Sequence, residues 1–316
     1  MLGDGEGAAD LYHGILEADP SNDKARAELV QMYKEQGRYD QALALARAGR
    51  TAEPDSADAA DLEAEVLFDR GAHYVNDGLW TQAVEDFQSA LKLNPYQPYA
   101  HHSLATTYER LGLREAAIKA YLQELRFNPA YMPAHFQLGR LYLALGMDEE
   151  ALAALRAALE LAPLDPDVHY HVGLAWKAAG NLPRAIASLS RAVQLRPDAE
   201  PAFRELAELQ LAAGDYESAE AAYRAIIALH EDFRFDAEFG YGRALALGKK
   251  YTAAIDQFRR ILVARPTHAL ARLELARATL ALGGHSKALE QYRQVLETAP
   301  DLVDARAEAA ECLLVL

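Results

Sequence analysis

Residues 98–129 read PYAHHSLATTYERLGLREAAIKAYLQELRFNP. Leu104, Ala105 and Tyr108 fall on one face of a first helix, and Ala117 and Tyr121 on one face of a second. Gly112 ends the first helix, and Pro129 ends the second and sets up the next turn. The pattern then restarts. From Met132 it gives Leu138, Gly139, Tyr142, Gly146, Ala151 and Leu155; from Pro166 it gives Val172, Gly173, Trp176, Gly180, Ala185 and Leu189. Outward from this block, proline recurs at 20, 54, 95, 129, 163, 197, 266 and 300, most neighbours being 34 residues apart. Such a period predicts an array of stacked supersecondary units in place of a single globular core.

With each unit numbered so that its proline is position 32, small residues stand at 8 and 20 and aromatic or large apolar residues at 11 and 24. Gly139, Gly173, Ala151 and Ala185 let the two helices of a pair approach closely. The pattern resembles the tetratricopeptide repeat (TPR) family. The resemblance implies an all-α fold, a right-handed α-solenoid or superhelix of helix-turn-helix repeats in which the first helices (A) line the concave side and the second helices (B) lie outside. The units expected are a lone helix B over 1–22, repeats over 23–56, 57–97, 98–131, 132–165, 166–199, 200–234, 235–268 and 269–302, and a lone helix A over 303–316. The repeat 57–97 carries seven extra residues, almost two helical turns, which either extend its helix A through Ala57–Glu63 or loosen a joint. From Pro197 to Pro266 is one residue more than two periods, and His230-Glu231-Asp232 stands where a proline belongs. Ala228–Phe235 is therefore expected to form a longer turn that bends the array or offers a contact.

Net charge is -15, which argues against the basic face that sequence-independent nucleic-acid binding needs. A single cysteine, Cys312, allows no internal disulfide. No signal peptide or membrane-length apolar run is visible, so a cytoplasmic location is the default expectation. A periplasmic or envelope-associated one follows if an N-terminal signal is missing from this chain. The opening half repeat and the apolar ending Cys312–Leu316 fit a piece of a longer protein, or an end that docks on a partner or a second copy.

Motifs of catalysis and cofactor binding do not emerge, and the expectation is of no enzyme, no cofactor and no metal. His230-Glu231-Asp232-Phe233 lacks the second histidine of a zinc-protease helix. Gly240-Tyr241-Gly242-Arg243 lacks the third glycine of a dinucleotide loop. His101, His135 and His169 recur at position 4 of successive repeats. They read either as a metal or haem site or, more simply, as replacements for a packing aromatic. Helices of adjacent repeats stand about 10 Å apart, too far for nitrogens that must lie about 2 Å from one ion.

Positions 2, 5, 9 and 12 of helix A point toward the concave side. Position 5 reads Phe68, His102, Phe136, Tyr170, Arg204, Phe239 and Leu273, and Thr106, Arg140, Arg243 and Arg277 stand at position 9 with Lys177 at 12. Aromatics flanked by cations suit an extended peptide with apolar anchors and acidic residues, because aromatics and arginine are the usual interface anchors. Alternatively the aromatics pack between adjacent A helices while the arginines pair with Glu205, Glu208 or Glu274. The Lys/Asn set with which one TPR subclass grips a C-terminal carboxylate is absent, as is the asparagine ladder of TPR glycosyltransferases.

The resemblance thus implies a non-catalytic scaffold for protein–protein interaction that holds a peptide or helix of a partner. Two rivals stand beside it. The array would be the substrate-recruiting part of a larger enzyme or envelope or secretion assembly machine, or it would self-assemble end to end through Val303–Leu316.

Overall fold

A computed structural model of the protein describes residues 3–230 and 234–316. The described residues form eighteen helices and no strand. They fall into two compact units, one ending at Leu161 and the other beginning at Ala162. The first runs α1 (Gly3–Ala18), α2 (Asp23–Glu35), α3 (Tyr39–Ala52), α4 (Ala57–Asn76), α5 (Trp80–Leu93), α6 (Ala100–Arg110), α7 (Arg114–Phe127), α8 (Met132–Ala144) and α9 (Asp148–Leu161). The second runs α10 (Pro166–Ala178), α11 (Leu182–Leu195), α12 (Glu200–Ala213), α13 (Tyr216–Ala228), α14 (Phe235–Leu247), α15 (Tyr251–Ala264), α16 (Ala269–Ala281), α17 (His285–Thr298) and α18 (Val303–Val315). Within each unit every helix packs on its neighbours in sequence, the arrangement of an α-solenoid built from helix-turn-helix pairs. Even-numbered helices are the A helices and odd-numbered ones the B helices. Among the described residues, no helix is long and apolar enough to cross a membrane.

The turn from A to B needs a left-handed residue. Glycine supplies it at 37, 78, 112, 146, 180, 214 and 283, with φ between 70° and 79°. The eighth turn has Lys249 at the same repeat position, with φ 62°. A side chain in that region carries strain that glycine avoids.

The two helices of each pair meet through positions 8 and 24, whose sizes compensate. Gly139 makes room for Leu155, whose Cγ lies 2.5 Å from where a Cβ at 139 would stand, and Gly173 does the same for Leu189 at 2.6 Å. Gly71 faces Phe87 and Gly242 faces Phe258 equally closely, at 2.8 and 2.7 Å. Where position 8 is alanine (Ala105, Ala207, Ala276), position 24 is Tyr121, Tyr223 or Tyr292. In the first repeat the order reverses, with Val30 and Ala46. All of these tyrosines and their alanines are buried. Two of the hydroxyls find carboxylates, Tyr121 donating to Glu109 at 2.5 Å and Tyr292 to Glu308 at 2.8 Å.

The seven extra residues are helical. They form the first two turns of α4, which at 20 residues is the longest helix. They bring Glu63, 3% exposed, to the guanidinium groups of Arg47 and Arg50 on α3.

Position 4 has a function that neither sequence reading anticipates. His135 Nε2–H donates to the carbonyl of Pro129 at 2.8 Å, and His169 Nε2–H to that of Pro163 at 3.0 Å. His101 bonds the Pro95 carbonyl in the same way. Where position 4 is arginine, the guanidinium takes the same acceptor: Arg26 on Pro20, Arg272 on Pro266 at 2.7 Å, and Arg306 on Pro300 at 2.6 Å. The carbonyls at the end of a helix have no intrahelical partner. Each of these prolines lies two residues past the helix end, and a donor six residues on, already in the next repeat, satisfies its carbonyl in the turn. The histidine series is thus a set of inter-repeat tethers. Among the described residues, no group of three His, Cys, Asp or Glu side chains is placed to hold a metal ion.

Part of the atypical turn, residues 231–233, lies outside the described residues. On its two sides His230 and Arg234 both bond Glu200 at the start of α12, at 2.7 and 3.0 Å. Arg204 adds a third hydrogen bond at 2.5 Å. The hydrogen bond from Arg204, and then that from His230, hold the Glu200 carboxyl below its usual value.

Candidate functional site

An open concavity lies between α12 and α14, over α13. It encloses about 590 Å³ and is lined by Arg204, Glu208, Leu211, Ala212, Tyr223, Asp236, Phe239, Gly240, Arg243 and Leu247. Its floor depends on Gly240, because a Cβ there would stand 2.4 Å from two carbons of the Tyr223 ring. The missing side chain lets a B-helix tyrosine reach the space between two A helices. Burial pushes the Tyr223 hydroxyl up, and the charge of Glu208 adds to this, so it stays a neutral donor. Phe239 is fixed by ring contacts to Phe235, parallel at 6.1 Å, and to Phe258 at 6.0 Å.

Four charges stand around this apolar floor. Arg204 is engaged by Glu200 and faces Asp236 at 3.8 Å. Arg243 and Glu208, both exposed, form no hydrogen bond or ion pair among the described residues. The site therefore offers a wall of aromatic and aliphatic surface with one uncommitted cation and one uncommitted carboxylate.

Of the residues singled out from sequence, Arg204, Phe239 and Arg243 come together around this cavity. The others have partners of their own. Phe68 packs on Phe87 at 5.6 Å, and His102 on Tyr121 and Tyr131 at 5.5 and 5.2 Å. Burial pushes the His102 imidazole down, and its Nδ1 has no hydrogen-bond partner. Thr106 donates to the Ser103 carbonyl at 2.9 Å. Arg140 donates to Gln137 at 2.6 Å and lies 5.8 Å from the Phe136 ring centre. Tyr170 packs edge-on against His171 at 5.0 Å, and Lys177 donates to Glu205 at 2.5 Å. Arg277 is held by Glu274 at 3.0 Å and Glu308 at 2.7 Å, and Leu273 is buried. Arg277 has the Glu274 pairing expected as the alternative, and Lys177 meets Glu205. Phe68 and His102 meet rings of the B helix of their own repeat, Phe87 and Tyr121, and Tyr170 meets the next ring of α10. These contacts are not the packing between adjacent A helices expected as the alternative.

Tyr223 and Asp236 escaped the sequence reading. Tyr223 sits at position 24, which the repeat assigns to the core, and its only signal was the additional glycine at 240, two residues before the expected one.

An all-helical solenoid of paired helices with glycine turns and proline ends defines a class of repeat scaffold. Residues 1–66 match one tetratricopeptide repeat model, and residues 68–133, 136–200 and 204–269 match a second. The chain belongs to the tetratricopeptide repeat family, a family of protein-interaction scaffolds. It is similar in structure to a tetratricopeptide repeat protein from Parabacteroides merdae, with 18% identity, TM-score 0.51, and 79% of this chain and 98% of that one covered. It is also similar to PilF of Pseudomonas aeruginosa, with 18% identity, TM-score 0.52, and 66% and 94% covered. A third likeness is to MamA of strain RS-1, with 20% identity, TM-score 0.51, and 52% and 93% covered. At these identities the likeness is one of fold. A search of curated proteins finds no match.

Proposed function

We propose that the chain is a non-catalytic scaffold whose α12–α14 cavity holds an extended peptide of a partner protein. The observation that carries this reading is the cavity itself, with Phe239, Leu211 and Tyr223 as an apolar seat beside the uncommitted guanidinium of Arg243. An apolar peptide side chain fills the seat, and a neighbouring Asp or Glu takes Arg243, which can hold a carboxylate with two hydrogen bonds. Glu208 and Asp236 on the rim disfavour a second acidic residue nearby, which gives the site a direction. The wider groove residues Phe136 and Arg140 belong to the same proposal in the first unit, as a second place where a ring and a cation adjoin.

The test is selection of peptides from a random displayed library on the wild-type chain, followed by measurement of each winner on Arg243→Glu. Peptides with an acidic residue next to an apolar one, weakened at least about tenfold by the charge reversal, are the expected result. Winners that bind Arg243→Glu as well as wild type would exclude this cavity.

A further inference from the structure

A second site lies in the first unit, where one repeat departs from the others in three ways at once. Position 27 is small or apolar in the other repeats: Gly49, Ala90, Ala158, Ala192, Ile226, Ile261 and Val295. In the repeat 98–131 it is Glu124, 5% exposed, a carboxylate in a core position. Helix α6 also begins late. The A helices α8, α10, α12, α14, α16 and α18 begin at the first repeat position, but α6 begins at Ala100, the third, and is the shortest helix of the chain. Finally, the residue before it, Tyr99, has φ 61° and ψ 0°, a left-handed conformation that a bulky side chain seldom adopts.

These departures make one pocket. Unwinding the start of α6 leaves a cavity of about 320 Å³ between the segment 95–99 and the end of α7, with Glu124 in its lining. Aromatic rings form the rest. Tyr96, 73% exposed, stands edge-on to Phe127 at 5.0 Å, and His101 lies nearly parallel to Phe127 at 5.5 Å and 17°. Tyr99, 54% exposed, completes the rim.

The electrostatics call for a cation. Five rings elsewhere lie under the chain's own arginines: Arg38 on Tyr33, Arg70 on Tyr74, Arg140 on Phe136, Arg184 on Trp176 and Arg265 on Phe235. No lysine or arginine lines this pocket. One oxygen of Glu124 accepts the backbone N–H of His102 at 3.2 Å, which leaves the carboxylate acceptor capacity toward the cavity. Burial pushes the Glu124 carboxyl up and the His101 imidazole down, and among the lining residues no cation offsets the carboxylate. An aromatic face attracts a cation, and a planar guanidinium both stacks on rings and forks onto a carboxylate.

We propose that Tyr96, Tyr99, His101, Phe127 and Glu124 form a receptor for the guanidinium of an arginine in a partner peptide. The ring faces stack on the guanidinium plane while Glu124 accepts its N–H groups. This site is independent of the α12–α14 cavity and asks for the opposite charge.

The test uses the full chain and three capped pentapeptides, Ala-Ser-X-Ser-Ala with X as arginine, lysine or citrulline, followed by backbone amide shifts in NMR. Expected are saturable shifts confined to residues 95–103 and 124–128 with the arginine peptide, weaker ones with lysine, and none with citrulline. Glu124→Gln, which keeps the shape and the bond to His102, is expected to weaken the arginine peptide at least about tenfold. Tyr96→Ala, at an exposed position that does not threaten folding, is expected to weaken it several-fold. Equal shifts from citrulline, unchanged binding to Glu124→Gln, or shifts located elsewhere would overturn the site. Equal binding of the lysine peptide would overturn the guanidinium assignment. Arg243→Glu serves as the control and is expected to leave this binding unchanged.

Discussion

Within the second unit, α10, α16 and α18 differ from α12 and α14 in how they are fastened. His169, Arg272 and Arg306 each tie the start of an A helix to the proline carbonyl that closes the preceding repeat. At the equivalent positions α12 has Phe203 and α14 has Glu238, which make no such bond. Glu238 turns inward instead, buried at 3% and bonded to Gln257 on α15. The cavity opens between these two helices. The two A helices that flank the cavity are thus the two of this unit without a proline tether, and their length matches that of the unit's other A helices to within one residue.

The largest effect is expected from overfilling a tethered pair. Gly173→Leu places a side chain where Leu189 already sits and is expected to cost about 1–3 kcal/mol in chemical denaturation. A change below about 0.5 kcal/mol would mean that the pair is looser than its geometry implies.

Removing a tether comes next. Arg272→Ala deletes donors to Pro266, Gln291 and Gln294 and should cost about 1–2 kcal/mol in thermal or urea unfolding, with faster hydrogen exchange at the start of α16. His169→Ala, losing one bond, should cost about 1 kcal/mol. Equal exchange in α12 and in the untethered α16 variant would show that the fastening governs local opening.

A gain is expected at the odd turn. Lys249→Gly relieves the left-handed lysine and should stabilise the chain by about 0.5–1 kcal/mol, read as a raised denaturation midpoint. A loss would show that the lysine side chain compensates the strain.

The smallest effect concerns pH. His268 caps α16 by accepting the Ala271 N–H at 3.0 Å and packs on Phe235 at 4.3 Å. Burial, and then the charge of Arg265, push its pKa below the ordinary 6.5. A folded pKa below the unfolded one means that protonation favours unfolding. The contribution is complete above 6.5 and is lost as pH falls through 6.5 toward the folded value. Melting at pH 7.5 and 5.5 should therefore show a larger acid loss for wild type than for His268→Asn, which caps without titrating in this range. Identical losses would assign the acid sensitivity to other groups, such as His101 and His102, which burial also pushes down.

Much of this was legible in the chain. Proline spacing and glycine turns fix the helix pairs. Gly139 and Gly173 announce the close approach, and a seven-residue excess fits two turns of α4. The tethers were written there too, since every tethering residue is a histidine or arginine six places after a proline. They were missed because attention to histidine alone separated His101, His135 and His169 from Arg26, Arg272 and Arg306, which do the same job with a different donor. The candidate site was half legible. Arg243 and Phe239 follow from the inner face of the repeat, but whether a cation there is free depends on neighbours brought in by the stacking. Lys177 meets Glu205 across 28 residues, and Arg277 meets Glu308 across 31. Spacing within one repeat does not reveal such partners.

The paired sizes at positions 8 and 24 bear on how the chain avoids errors as it folds. Repeats this alike invite a helix to dock on the partner of another repeat, a common failure of repeat proteins. A helix carrying Ala105 docked on Leu155 drives its Cβ into the leucine side chain, and one carrying Gly139 docked on Tyr121 lacks the methyl group that lies beside the ring. The interior contacts therefore act as a key cut differently along the array. It is weakest among repeats that share one pair, three with alanine and tyrosine, two with glycine and phenylalanine and two with glycine and leucine, where a mispaired helix would find the least resistance.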